Sequence, residues 1–283
     1  MIQLNGITIT EAKEILKSQT PKEVLTFYNE PYNITEEQIE FYNQNGFIIL
    51  KDVLIGPALE FAKTVMEAAV LIRKKEDERS LSEKSPYEQS FLQCGFLAFD
   101  FQPVKDYVFG KRFAGIARDL MRVDGIRLWH DQALFKEAGG RATPVHQDSS
   151  YWPLSNPELS TTIWLSLDNA PKEKGCLYFY PKSHLAKKEY VDIFKNPHQP
   201  KQLQDFKKVY APLNAGDASY HSGLTFHGTE ENTTGDLREG MTMIYIHDGN
   251  RFDGSDRRNA THKSCEGLKN GEKIDTKYTP KLI

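Results

Sequence analysis

Thr161-Thr-Ile-Trp164-Leu-Ser-Leu167 is rich in β-branched and aromatic side chains, the composition that packs well on a pleated surface. Working outward, Gly125-Ile-Arg-Leu-Trp-His130 alternates, Ala133-Leu-Phe135 is short and apolar, and residues 91–101, 177–180 and 241–246 continue the series. Short strands separated by Gly, Pro, Asn and Asp turns point to a sandwich or a barrel. The chain before residue 91 reads differently. Its first part, to about residue 30, is polar and helix-like. Thr35-Glu-Glu-Gln38 then forms a capping box that opens an amphipathic helix, and Asn45-Gly46 ends it. Phe47-Ile-Ile-Leu50 reads as a buried strand, and a further helix is expected over 57–75, with the charge run 73–79 as a solvated surface. No repeat is visible. The expectation is a mainly β fold with flanking helices, one domain over 1–283 with a helical N-terminal extension at 1–34. Residues 183–208 are Lys- and Gln-rich with Pro197 and Pro200, either a surface excursion between strands or a lid beside a site. The polar, Gly-rich tail after Asp248 carries no assigned role.

Composition narrows the function classes. A hydrophobic content of 39% and a charged content of 27% describe a folded globular chain rather than a disordered one. A net charge of −3 gives no general attraction to nucleic acid or to anionic lipid. No apolar run approaches the roughly 18–20 residues of a membrane span, and Met1-Ile-Gln-Leu-Asn-Gly6 lacks the pattern of a secretion signal. Cys94, Cys176 and Cys265 form neither a disulfide framework nor a C-x-x-C pair. Three reduced thiols and a cytoplasmic location are expected.

The chemistry lies in Thr143-Pro-Val-His146-Gln-Asp148-Ser-Ser-Tyr151-Trp152-Pro153. On a strand, residues i and i+2 share a face, roughly 6.6 Å apart. His146 and Asp148 can therefore converge on one ion while Gln147 points away. Two histidines and a carboxylate, with positions left open, is the pattern of non-haem Fe(II) oxygenases. Of the eight histidines, His221 and His227 compete for the third place, and Arg238 decides between them. An oxygenase using a 2-oxo-dicarboxylate needs a guanidinium to grip the distal carboxylate. The turn-forming Glu231-Asn-Thr-Thr-Gly-Asp236 lets the chain leave the metal on one strand and return on its neighbour with Arg238. His227 is thus the expected ligand. His221 is left beside the ligands or at the mouth, and Gly223 is a candidate bulge. His130, His184 and His247 are expected to be structural. A hydrolytic zinc site remains a rival, because His/His/Asp also binds zinc.

These residues resemble the phytanoyl-CoA dioxygenase family of Fe(II)- and 2-oxoglutarate-dependent oxygenases, which includes ectoine hydroxylases. Glu37-Gln-Ile-Glu-Phe-Tyr-Asn-Gln-Asn-Gly-Phe47 is similar to that family's opening helix and strand, and residues 143–152 to its metal motif. Gly175-Cys-Leu-Tyr-Phe-Tyr-Pro-Lys-Ser-His184 is similar to its Gly-x-Leu…Pro-Gly-Ser-His segment, and His227-Gly-Thr229…Asn232…Arg238 to its distal element. The likeness runs from about Thr35 to Phe252. It implies a double-stranded β-helix, a jelly-roll or cupin-like core. It implies Fe(II) on His146, Asp148 and His227, and 2-oxoglutarate reaching Arg238 with Thr229 as hydroxyl partner. Trp164 matches a tryptophan lining the co-substrate pocket; Gln132 and Lys136 match polar pocket positions. Tyr151 and Trp152 are either a substrate wall or core packing.

Two departures stand out. Lys136-Glu-Ala-Gly-Gly140 replaces a Lys-Pro-Pro-Gly run, and Lys182 stands where Gly is usual. Asp148 is retained, whereas halogenating relatives lack this carboxylate. The resemblance therefore implies hydroxylation of a small-molecule substrate with O2, releasing succinate and CO2. Desaturation, ring closure or epimerisation by the same chemistry is the alternative outcome, and a non-catalytic cupin-like metal-binding protein the alternative class.

Overall fold

The computed structural model describes residues 6–186, 203–255 and 263–283; most of the 183–208 excursion, and with it the lid expectation, lies outside the described residues. The N-terminal third builds helices where capping chemistry marks them. Helix α1 (Ile9–Lys17) starts at a Thr8/Glu11 capping box and is followed by α2 (Lys22–Asn29). Thr35 and Gln38 form the anticipated box at the start of α3 (Glu36–Asn45), and Gly46 ends that helix at φ 80°, a conformation glycine adopts without steric cost. Strand β1 (Phe47–Leu50) follows, then α4 (Gly56–Lys74). Ala12, Leu16, Val24 and Tyr28 pack into the same apolar cluster as the buried face of α4.

Residues 91–101 yield less strand than their composition promises. After α5 (Pro86–Ser90), β2 covers only Leu92–Gly95, because Phe96 turns the backbone to φ 58° and a 3-10 turn follows. Two unanticipated helices come next, α6 (Gln102–Val108) and α7 (Lys111–Met121). The buried side of α7, including Phe113, Ile116, Ala117 and Leu120, lies against the sheet core.

The remaining strands are β3 (Ile126–Phe135), β4 (Thr143–His146), β5 (Ser160–Ser166), β6 (Leu177–Phe179), β7 (Val209–Ala211), β8 (Ala218–Ser222), β9 (His227–Thr229) and β10 (Gly240–His247). They form two antiparallel sheets, of order β1-β8-β5-β10-β3-β2 and β4-β9-β6-β7. This is the jelly-roll arrangement of antiparallel sheets with flanking helices. The helices cover the outer face of the larger sheet, where Ile163 and Leu165 of β5 and Met241, Met243 and Tyr245 of β10 are buried. The opposite face carries Trp164, which packs with Phe47, Leu177 and Phe179 between the sheets.

Strand β3 merges the two runs at 125–130 and 133–135 that the sequence presents as separate. The polar pair Asp131-Gln132 separates the runs in sequence, and a bulge lies within the first of them. Ile244 pairs with His130 but Tyr245 pairs with Leu128, leaving Trp129 as the extra residue. A bulge reverses the facing of everything beyond it. Ile126 and Leu128 therefore face the helices, whereas His130, Gln132 and Leu134 face the inter-sheet cavity. The C-terminal tail is not idle: Leu282 N–H donates to the Ile126 carbonyl at 2.9 Å, and Cys265 and Ile274 pack with Trp129 and Trp152.

Lys182 is held at φ 67°, where a Cβ costs roughly 1–2 kcal/mol. Its N–H donates to the Asn45 carbonyl at 2.9 Å, so the turn is fixed by backbone contacts and not by the side chain. Lys182→Gly should raise the stability measured by urea unfolding by up to about 1 kcal/mol, the relieved strain being partly offset by a freer unfolded chain.

Candidate active site

Strands β4 and β9 are neighbours in the smaller sheet, and His146 stands opposite His227. Their rings lie 4.3 Å apart between centroids. Strand β4 ends at His146, so Asp148 is not on the strand as expected; it opens a 3-10 turn over Asp148–Tyr151. The alternation survives because Gln147 keeps an extended backbone (φ −115°, ψ 125°). Its amide turns away and donates to the Leu224 carbonyl at 2.7 Å. His146, Asp148 and His227 each offer a ligand atom, all within 4.8 Å of one another. Asp148 Oδ1 is 3.4 Å from His146 Nε2 and 3.7 Å from His227 Nε2.

The imidazole tautomers follow from their outer contacts. His146 Nδ1 is 2.9 Å from the Pro144 carbonyl, and His227 Nδ1 is 3.0 Å from the Thr225 carbonyl. A carbonyl only accepts, so each Nδ1 carries the proton and each Nε2 presents a lone pair to the centre. Burial, with His221 and His146 alongside, pushes the His227 pKa well below its usual value and keeps the ring neutral. For Asp148, burial favours the neutral acid, but His227, His146 and His221 outweigh it and hold the carboxyl well below the ordinary range. Two neutral imidazoles and one carboxylate form a donor set that suits a divalent transition metal.

Arg238 lines the same cavity, whose volume is about 360 Å³. It does not return on a neighbour of β9, as the turn had suggested. The 231–236 turn crosses between sheets, and Arg238 bridges to Lys136 beside β10 of the larger one. Arg238 is 2% exposed, with Trp164 stacked 5.0 Å from its guanidinium. Its Nη1 donates to the Gly175 carbonyl and Nη2 to that of Leu134, while Nε is buried with no partner among the described residues. No carboxylate pairs with it among the described residues. Burial lowers its pKa to about 10, against the pull of Asp168 and Cys176, which leaves it cationic near neutrality. A buried cation with no ion pair among the described residues and an idle donor fits a carboxylate ligand. Gly240 is required here: a Cβ would lie 2.3 Å from Trp164 Cζ2.

Thr229 also lines the cavity, its hydroxyl donating to Thr143 Oγ1 at 3.1 Å. Gln132 lines it too, accepting from the Gln93 amide, which in turn accepts from the Tyr87 hydroxyl. Lys136 does not face the cavity. It is buried, and its Nζ donates to the carbonyls of Ser90 (2.6 Å) and Arg141; burial, then the nearby Arg238, lowers its pKa to about 6. Its place is between α5 and the loop leading to β4, so the pocket role implied by the resemblance is not where the side chain points. Tyr151 and Trp152 line the cavity, as do Tyr87, Phe91 and Phe96, and Trp152 also packs with Trp129 and Leu154 in a buried cluster.

Several site residues were not anticipated. His130, expected to be structural, lines the cavity, and burial lowers its pKa to about 4; only the Trp129 bulge turns it inward. Thr162 and His221 both reach Asp148. Gly223 is a contact point and not a bulge: its carbonyl accepts from Ser149 N–H at 2.8 Å, and a Cβ there would lie 2.0 Å from Ser149 Oγ. His184 and His247 stay outside, bonded to the Asn43 carbonyl and to Asp124. The three cysteines are buried, and none forms a disulfide among the described residues. Among the described residues no helix is long and apolar enough to cross a membrane.

Comparison with known proteins points to one family. The profile of the phytanoyl-CoA dioxygenase (PhyH) family matches residues 42–240. The peroxisomal phytanoyl-CoA dioxygenase of Homo sapiens is 23% identical over 239 residues, covering 75% of this chain and 68% of that protein. Among solved structures, the non-haem α-ketoglutarate-dependent carbocyclase SnoK from nogalamycin biosynthesis matches with a TM-score of 0.76 at 21% identity, covering 90% of this chain and 100% of that one. The epimerase SnoN, in complex with Fe3+, α-ketoglutarate and nogalamycin RO, matches with a TM-score of 0.69 at 21% identity, covering 88% and 98%. With the profile spanning most of the sequence and a His/Asp/His cluster at its centre, the chain belongs to the phytanoyl-CoA dioxygenase family of Fe(II)-, 2-oxoglutarate- and O2-dependent oxygenases.

Proposed function

We propose that the protein hydroxylates an unactivated C–H bond of a small-molecule metabolite, consuming 2-oxoglutarate and O2 and releasing succinate and CO2. The supporting observation is a cavity in which the His146/Asp148/His227 cluster and the idle donor of Arg238 share one space. In this reading the three cluster residues hold Fe(II), Arg238 with Thr229 takes the distal carboxylate of 2-oxoglutarate, and Trp164 keeps the guanidinium in place. The iron and its co-substrate supply the oxidising power when bound. The chain supplies position: carbonyls of Pro144 and Thr225 hold the ring protons on Nδ1, and the Tyr151/Trp152 wall of the cavity orients the substrate and limits water. No lysine of the described residues lines this cavity, so a CoA thioester is not assigned by the family name.

The test is a succinate-release screen over metabolite pools, with products weighed by mass spectrometry. A gain of one oxygen is expected. Loss of two hydrogens would mean desaturation or ring closure, and an unchanged mass with a changed stereocentre would mean epimerisation. Anaerobic Fe(II) with 2-oxoglutarate should also give a visible charge-transfer band. A folded, metal-loaded protein without that band would favour hydrolytic zinc or a non-catalytic metal-binding protein.

A further inference from the structure

Three imidazoles surround Asp148, not two. His221 is 1% exposed, its ring centroid is 4.3 Å from that of His227, and its Nε2 lies 3.2 Å from Asp148 Oδ2. It arrives from a different sheet. On β8 it is the direct cross-strand partner of Thr162 on β5, and side chains opposite one another on one face are neighbours. Thr162 Oγ1 donates to the same carboxylate oxygen at 2.8 Å. Asp148 Oδ2 therefore meets two groups of the larger sheet, while Oδ1 faces His146 and His227 of the smaller one.

The outer nitrogens separate the ligands from the third ring. Nδ1 of His146 and of His227 each faces a carbonyl, which forces the proton there and bares Nε2. Nδ1 of His221 is buried with no hydrogen-bond partner among the described residues. A proton on it would be a buried donor with no acceptor, an expensive arrangement. The ring accordingly carries its proton on Nε2, facing a carboxylate oxygen that can only accept. A nitrogen that is donating has no lone pair for a metal.

We propose that His221, with Thr162, is a positioning residue that occupies Asp148 Oδ2, so that the aspartate offers a metal only Oδ1. This rests on the metal-ligand assignment given under Proposed function. Single-oxygen ligation matters because a second aspartate oxygen on the metal would take a place needed by 2-oxoglutarate or O2. Outer partners of this kind typically govern metal affinity by 10–100-fold.

The experiment is Co(II) titration of the full-length protein, read by calorimetry and by the visible d–d spectrum, for wild type, His146→Ala, His221→Leu, His221→Gln and Thr162→Val. His221→Leu and Thr162→Val should each weaken Co(II) binding by about 10–100-fold and alter the d–d bands, whereas His221→Gln, which keeps a donor, should stay within about threefold of wild type. Wild-type affinity and spectrum in a folded His221→Leu protein would overturn the proposal. Loss of binding in His221→Leu and His221→Gln as complete as in His146→Ala would also overturn it, since His221 would then be a ligand. If His221→Leu does not fold, Thr162→Val, nearly equal in volume, decides alone: unchanged binding there rejects the proposal. Wild-type binding that survives His146→Ala would instead defeat the ligand assignment itself, a separate outcome.

Discussion

Asp148→Ala is expected to abolish Fe(II)-dependent turnover while leaving the protein folded. Asp148 is the only anionic member of the cluster, and without it a dication would meet two neutral rings in a buried site. The loss of metal affinity should exceed the 10–100-fold typical of an outer partner. The fold should survive for a physical reason. A buried carboxylate carries a desolvation cost that its partners only offset, and removing it leaves neutral imidazoles and one hydroxyl. His146→Ala should behave similarly. Succinate release against added Fe(II), with a thermal melt of each variant, checks both expectations. Turnover surviving in iron-loaded Asp148→Ala would show that the cluster is not the reaction centre.

Arg238→Ala should raise the 2-oxoglutarate requirement by about 30–1000-fold, the roughly 2–4 kcal/mol of a buried charge-assisted pair. The guanidinium is already fixed by the carbonyls of Gly175 and Leu134 and by the Trp164 ring. Little side-chain freedom is therefore lost when an anion arrives. Arg238→Lys keeps the charge but loses the planar fork, and should fall between wild type and alanine. Saturation curves in 2-oxoglutarate at fixed iron and substrate measure the effect. An unchanged requirement in Arg238→Ala would remove Arg238 from the co-substrate site.

Much of this site was legible because its chemistry is local. The capping box at Thr35 and the extended Gln147 between His146 and Asp148 follow from rules spanning a few residues. The strand-rich middle was legible for the same reason. What escaped was long-range. The Trp129 bulge changes which face His130 and Gln132 present, and it exists because β3 pairs with β10 more than a hundred positions away. Arg238 lines the cavity, but by another route than the turn suggested, since that turn crosses between sheets instead of joining neighbouring strands. Lys136 has a side chain long enough to reach either the cavity or the Ser90 and Arg141 carbonyls, and packing alone chose the latter. Helices α6 and α7 were passed over because an aromatic segment ahead of them read as strand.

Two of the cluster's side chains, His146 and His227, come from one leaf of the jelly roll; Trp164 and the residues that steady Asp148 come from the other, with Arg238 at its margin. Metal and keto acid, if held as proposed, would act as rivets through both leaves. Any slippage of one leaf over the other would loosen both rivets together, and mass action by either one draws the chain toward its native register.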